Sequence, residues 1–333
     1  MQIADRAGRA WLVDPLALPD LAALGPVFAA PRPLIVLHAG DNDLAHLKRR
    51  HAFTFGAIFD TSLAARFLGG RALGLDVLLR EHLAVELPPS RQKDDWSARP
   101  LTPAQERYAV ADVAHLLALK DRLVEALERA GRLAWVQEEC AALAAEVLPE
   151  RTPDPEAWAR IKGARELPPR GLAVLRAVHE TRERLAVTAD RPPFKILGDA
   201  ALLAIAQTPP ADAAALAALP GSSPRVVARW GEAILEAVRR ARALPEAELP
   251  ALARPPRPPG LPGPVRRRIE ALRAWRAQAA PGFGLEPGVL LPNRLIGAIA
   301  QAAPRTPEEL GRVDGIRRWR VDALGAGILA ALR

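Results

Sequence analysis

The sequence predicts an α/β layer followed by two copies of a small all-α module. Three observations predict this. Strand-like and helix-like segments alternate from Gln2 to Leu83, strand signals vanish beyond Pro149, and one helical pattern then occurs twice. The 333 residues exceed what one small core holds, and 50% hydrophobic with 25% charged residues is the balance of a globular protein.

The elements follow in order. Gln2–Ala4 and Ala10–Asp14 flank the turn-prone stretch 5–9, which reads as a hairpin, and Pro33–His38 is a short apolar run of buried-strand type. Asp43–Arg50 is expected as a short helix, Ile58–Asp60 as a strand, Thr61–Leu68 as a helix stopped by Gly69 and Gly70, and Leu73–Leu83 as another. Thr102 followed by Pro103 is a helix start, and the pattern predicts one long helix from there to about Ala130–Gly131, with a second over Arg132–Val147. Beyond it, Pro168–Pro169, Pro192–Pro193, Pro209–Pro210 and Pro220–Gly221 cut the chain into short helices. The Pro-rich stretch from Pro250 to Pro264 reads as a semi-rigid linker. On either side of it, 175–182 parallels 269–276, 200–206 parallels 292–300, and 216–221 parallels 310–315. Four segments are therefore expected: 1–148, 149–245, a linker over 246–264, and 265–333.

No apolar run approaches the roughly 20 residues that span a bilayer, and the N-terminus lacks the order of a signal peptide, so a cytoplasmic, monomeric protein without a membrane partner is expected. A single cysteine, Cys140, excludes an intramolecular disulfide and a zinc site on paired cysteines. Residues 1–150 carry 17 Lys and Arg against 20 Asp and Glu, whereas 151–333 carry 29 against 18. The basic half is the expected polyanion binder, although an arginine-rich, alanine-rich composition also produces such a skew.

Two constellations bear chemistry. Tyr108 and Asp112 are four apart inside a predicted helix, which places a phenol and a carboxylate on one face. The apolar strand ending at His38 runs through a small-residue turn into Asp41, Asn42 and Asp43; the two acids serve as ligand contacts at the strand's carboxyl end, or all three residues serve as helix caps. Asp60, at another strand-to-helix junction, carries the same two readings. No histidine pair has zinc-like spacing, and no Gly-rich phosphate loop of Walker or dinucleotide type is present.

Taken in order, the segments 38–44, 59–65, 93–102 and 108–113 resemble ribonuclease D, a DEDDy 3′–5′ exonuclease. Arg132, Trp135, Glu138 and Glu139 resemble that family too, and the paired helical modules are similar to the HRDC domains that follow its exonuclease domain. The resemblance implies a ribonuclease H-like α/β domain, two all-α HRDC-like domains, and hydrolysis of phosphodiesters at RNA 3′ ends, tRNA precursors in particular, with DNA as another possible polymer. It further implies Mg²⁺ or Mn²⁺ held by four acids. Asp43 and Asp112 match two of these, and Tyr108 matches the residue that orients the attacking water. His38, Lys93, Ser97 and Arg99 match the substrate side of the domain. In the modules, Lys162, Arg165, Arg170, Lys195, Arg225 and Arg229, with Arg266, Arg267, Arg268, Arg317, Arg318 and Arg320, are phosphate-contact candidates. Trp158, Trp230, Trp275 and Trp319 are expected in module cores rather than on bases.

One departure stands out. The family's Asp-x-Glu strand belongs before Gln2, and Asp5 and Asp14 do not replace it. An N-terminally incomplete domain of this kind is expected to leave strand edges unpaired at roughly 1–3 kcal/mol per buried group, to show little nuclease activity, and to have Asp-x-Glu upstream in frame. The other reading is a non-catalytic nucleic-acid-binding protein that works through its HRDC-like modules.

Overall fold

A computed structural model describes residues 1–18, 20–147, 154–252 and 260–333. The chain begins with an antiparallel hairpin, β1 (Gln2–Ala4) and β2 (Ala10–Leu12), in which Ile3 pairs with Trp11. The short helix α1 (Gly25–Ala29) follows, then β3 (Ile35–Leu37), α2 (Asp41–His51) and β4 (Ile58–Asp60). β3 and β4 pair in parallel, with Leu37 beside Asp60. The strands thus form two separate two-stranded sheets among the described residues, not one continuous layer.

Helices α3 (Thr61–Phe67), α4 (Leu75–Leu83), α5 (Pro103–Ala114), α6 (Leu116–Arg129) and α7 (Leu133–Ala145) complete this part. The long helix expected from Thr102 to Gly131 is in fact two, broken at His115, because its halves serve different partners. α5 packs on the hairpin, whereas α6 packs on α3, α4 and β3. The turn of chain between them lets each present its own apolar face.

The first helical module holds α8 (Pro169–Thr188), α9 (Pro193–Ile196), α10 (Asp199–Gln207), α11 (Ala213–Ala217) and α12 (Pro224–Arg242). The second repeats the arrangement with α13 (Gly263–Phe283), α14 (Pro287–Leu290), α15 (Asn293–Ala302), α16 (Pro307–Gly311) and α17 (Arg318–Ala331). Residues 253–259 of the expected linker lie outside the described residues. No helix among the described residues is long and apolar enough to cross a membrane.

Two compact units result. One joins Met1–Glu150 with Leu261–Arg333, and the other is Arg151–Gly260. In the first unit a single core runs from Leu44, Phe59, Phe67, Leu119 and Leu123 into Leu290, Ile296, Ile299 and Leu324 of the second helical module. Trp135 of α7 stacks on Trp319 of α17 at 4.5 Å, and Phe67 meets Trp319 edge-on at 5.5 Å. Gly69 closes the fit: with φ at +87° it takes a conformation that suits glycine, and a Cβ there would lie 2.6 Å from the Gly284 carbonyl oxygen. The other unit has its own core around Trp158, Leu175, Leu202, Ile205, Leu216 and Val238.

Candidate functional site

The parallel pairing of β3 and β4 sets Asp60 beside the turn that follows β3. Asp60 is 3% exposed, and its carboxylate accepts from the amide of Leu63 at 2.9 Å, which caps α3, and from the amides of Gly40 at 2.7 Å and Ala39 at 3.2 Å. The turn is tight. Ala39 is left-handed with φ at 49°, and a Cβ on Gly40 would lie 2.8 Å from Leu37 Cβ. Held in this way, the chain enters α2 at Asp41 and places Asp43 in its first turn. Asp41, Asn42 and Asp43 do not cap the helix by side chain, since the N-cap is Gly40. The ambiguity between cap and ligand therefore resolves in opposite ways: Asp60 is the cap and tether, and Asp43 is left free.

The Thr61 hydroxyl donates to the Leu37 carbonyl at 3.0 Å, and His38 Nδ1 stands 3.0 Å from the same hydroxyl. Burial lowers the pKa of His38, opposed by the charges of Asp60 and Asp76 and by the Leu73 carbonyl. Desolvation raises the pKa of Asp43, helped by the negative charges of Asp41 and Asp60 and opposed by His46.

α5 carries the second group. Thr102 and Gln105 form a reciprocal capping box and Pro103 occupies the first turn, as the sequence predicts. The Gln105 amide also donates to the Asp95 carbonyl at 3.2 Å, tying the preceding loop to the helix. One turn on, the Tyr108 ring is buried against Trp96, 6.2 Å between centroids. Asp112, another turn along the same face, is half-buried, and desolvation raises its pKa with no cation to offset it. In the loop, Ser97 donates to Asp95 at 2.6 Å, and Arg99 grips Asp14 by two bonds of 2.6 and 2.7 Å that hold that carboxyl well below the usual range. Lys93 is exposed.

The structure thus brings His38 and Asp43 to one corner, around Asp60, and Tyr108 with Asp112 to one helix face. Among the described residues, no hydrogen bond or ion pair joins these two groups. Lys162, Arg165, Lys195, Arg225 and Arg229 are all exposed in the unit 151–260, where Lys195 lies 5.6 Å over the Phe194 ring and Arg229 lies 5.1 Å over Trp230. Several arginines expected at phosphates are engaged elsewhere. Arg170 donates to the Leu244 carbonyl, Arg268 to that of Ala300 and Arg317 pairs with Glu139, while Arg320, 4% exposed, pairs with Glu139 as well. Trp158 and Trp319 are core residues, and Trp275 packs on Gly327. Cys140 is buried beneath the Asp60 amide, its thiol pushed up to about 11.

Desolvation raises the pKa of both carboxyls, which marks each as a candidate functional group, and their hard oxygens suit Mg²⁺ or Mn²⁺. Their number does not suffice for a closed metal site, because no three His, Cys, Asp or Glu side chains gather at one point among the described residues. The residues present therefore do not fit a two-metal centre on their own.

A 3′–5′ exonuclease family model matches residues 1–128, and an HRDC model matches 171–238 and again 265–332. Ribonuclease D of Pseudomonas paraeruginosa (strain DSM 24068 / PA7) is 34% identical over 100% of this chain and 86% of that protein. Ribonuclease D of Granulibacter bethesdensis (strain ATCC BAA-1260 / CGDNIH1) is 34% identical over 93% of this chain and 77% of that protein. Among solved structures, Escherichia coli RNase D, described as an exoribonuclease involved in structured RNA processing, superposes with a TM-score of 0.63 and 26% identity over 99% of this chain and 87% of that one. A protein from Bifidobacterium adolescentis shares the fold with a TM-score of 0.75 at 22% identity, covering 97% of this chain and 84% of that one.

Proposed function

Because the chain belongs to the ribonuclease D family, we propose that it is a 3′–5′ exoribonuclease that hydrolyses the terminal phosphodiester of structured RNAs, tRNA precursors among them. The observation that carries this reading is the placement of Asp43 in the first turn of α2, behind the turn that Asp60 tethers, and of Tyr108 and Asp112 on one face of α5, with the ionisation of both carboxylates opposed by desolvation. In the proposal they contribute two of the acids that hold divalent cations, the Tyr108 hydroxyl orients the attacking water, and Lys93 and His38 face the substrate strand. Arg99, bound to Asp14, fixes the loop. The exonuclease part acts, and the helical modules hold the RNA.

Asp43 and Asp112 are two of the four acids that the resemblance to the family implies. The decisive comparison adds a strand bearing Asp-x-Glu before Gln2. The extended chain should shorten a 5′-labelled RNA from its 3′ end, and Asp112→Asn should abolish that while sparing RNA binding. An extended chain that binds RNA without trimming it would remove the exonuclease assignment. That outcome would favour a non-catalytic binding protein.

A further inference from the structure

The stretch 84–102, between α4 and α5, contains neither helix nor strand, yet one of its side chains is fixed from three directions. Trp96 Nε1 donates to the Arg91 carbonyl at 3.1 Å. The Trp96 carbonyl accepts from Arg99 Nη1 at 2.8 Å. The carbonyl just before it, that of Asp95, accepts from the Gln105 amide on α5 at 3.2 Å. Connecting segments on a surface ordinarily leave such groups to water and stay mobile. Here they converge on a single half-buried indole.

Arg99 closes the bracket. Its Nη1 also donates to the Ala98 carbonyl at 2.8 Å, while Nε and Nη2 hold the two oxygens of Asp14 at 2.6 and 2.7 Å, so all three guanidinium nitrogens are engaged. Asp14, two residues past β2, is fixed in turn, because its carboxylate accepts from the Leu16 amide at 3.0 Å. A chain of contacts therefore runs from Asp14 through Arg99 to the backbone of Trp96. From the indole it continues to the Tyr108 ring, 6.2 Å between centroids with the planes at 44°.

The far end of this chain is a phenol that needs aiming. The Tyr108 hydroxyl makes no hydrogen bond among the described residues, and the residue is 7% exposed, so packing alone sets its direction. The helix fixes the Cβ of Tyr108, but the torsion that turns the ring has broad wells that only neighbours narrow. We propose that Trp96 is a positioning residue for Tyr108 and that Asp14, acting through Arg99, sets Trp96. The stretch 91–99 is then a bracket that carries the placement of the hairpin's exit to the phenol on α5, as an outer shell of contacts does for a site. The use of that phenol in hydrolysis rests on the proposed exonuclease function; its placement by the bracket does not.

Tyr108 is the only tyrosine in the sequence, so the full chain labelled with 3-fluorotyrosine carries one fluorinated ring, and its fluorine resonance reports that ring alone. Trp96→Ala should move the line at least halfway toward its position in the urea-unfolded chain, and Trp96→Phe should restore most of that shift. The deciding variant is Asp14→Asn, at a residue with no ring contact or hydrogen bond to Tyr108 among the described residues. It should move the line in the same direction as Trp96→Ala. Arg6→Ala, which breaks the exposed ion pair of the same hairpin with Asp121, should leave the line at the parent position, whatever its cost in urea. A line in Asp14→Asn or in Trp96→Ala that coincides with the parent's would overturn the proposal. So would an equal shift in Arg6→Ala, which would show that the line follows stability and not the bracket. No RNA enters the measurement, so an exonuclease reading that fails on trimming leaves this result as it stands, and loss of the bracket leaves that reading intact.

Discussion

Asp60 and Asp112 are opposite uses of one side chain. Asp60 is buried yet gives its two oxygens to three backbone amides, whereas Asp112 is half-buried and accepts no hydrogen bond among the described residues. Asp60→Ala would strand those amides, at roughly 1–3 kcal/mol for each unsatisfied group, so the unfolding free energy measured in urea should fall by several kcal/mol, with a lower midpoint. For Asp112 the direction reverses. Its carboxyl titrates higher in the folded chain than in the unfolded one, so the folded state holds the proton more tightly and ionisation costs stability. That cost is absent below the ordinary carboxylate range and complete above the raised folded value. Asp112→Asn should therefore raise the melting temperature at about pH 7 and give no gain near pH 3, where the parent carboxyl is protonated in both states. An equal gain at both pH values would assign the effect to packing. The sequence marks Asp60 and Asp43 alike, as acids where strand turns to helix. What separates them is a tether across 20 residues from Asp60 to Gly40, which only the β3–β4 pairing creates.

At the scale of elements, local signals survive folding and long-range ones are not written locally. The helix start at Thr102 and Pro103 and the hairpin at 2–12 stand where the sequence puts them. The break at His115 does not, because nothing near it says that α5 and α6 have different partners. Glu138 and Glu139 are singled out in the sequence only by resemblance to the family, yet they cap and pair with α17 from 180 residues away. Arg320 is buried in that contact, so Glu139→Gln leaves a desolvated guanidinium without its counter-charge. Removing one partner of a buried pair typically costs about 3–5 kcal/mol. Glu139→Leu with Arg320→Met should recover most of the loss. Urea denaturation followed by tryptophan emission reads this contact directly, because Trp135 and Trp319 stack across it. A Glu139→Gln variant as stable as the parent would show that the pair does not hold α17 in place.

Over the whole molecule, the order along the chain is not the order in space. The second module, last in sequence, shares a core with the exonuclease part, while the first forms a unit of its own. The repeat was legible from matching segments. Its asymmetric use was not, because two copies with similar helices differ in a few face residues. The candidate site has the same character: Tyr108 and Asp112 follow from helical spacing, but their relation to Asp43 depends on how α2 and α5 are carried by separate sheets. In the proposed function, Asp43, Tyr108 and Asp112 serve one cation-binding place. Mn²⁺ titrated into the chain, with nuclear magnetic resonance lines followed residue by residue, tests it most directly. Lines of all three residues should broaden together at one Mn²⁺ concentration, and Asp112→Asn should abolish the broadening at Asp43. Broadening at Asp43 that persists unchanged in that variant would contradict the account.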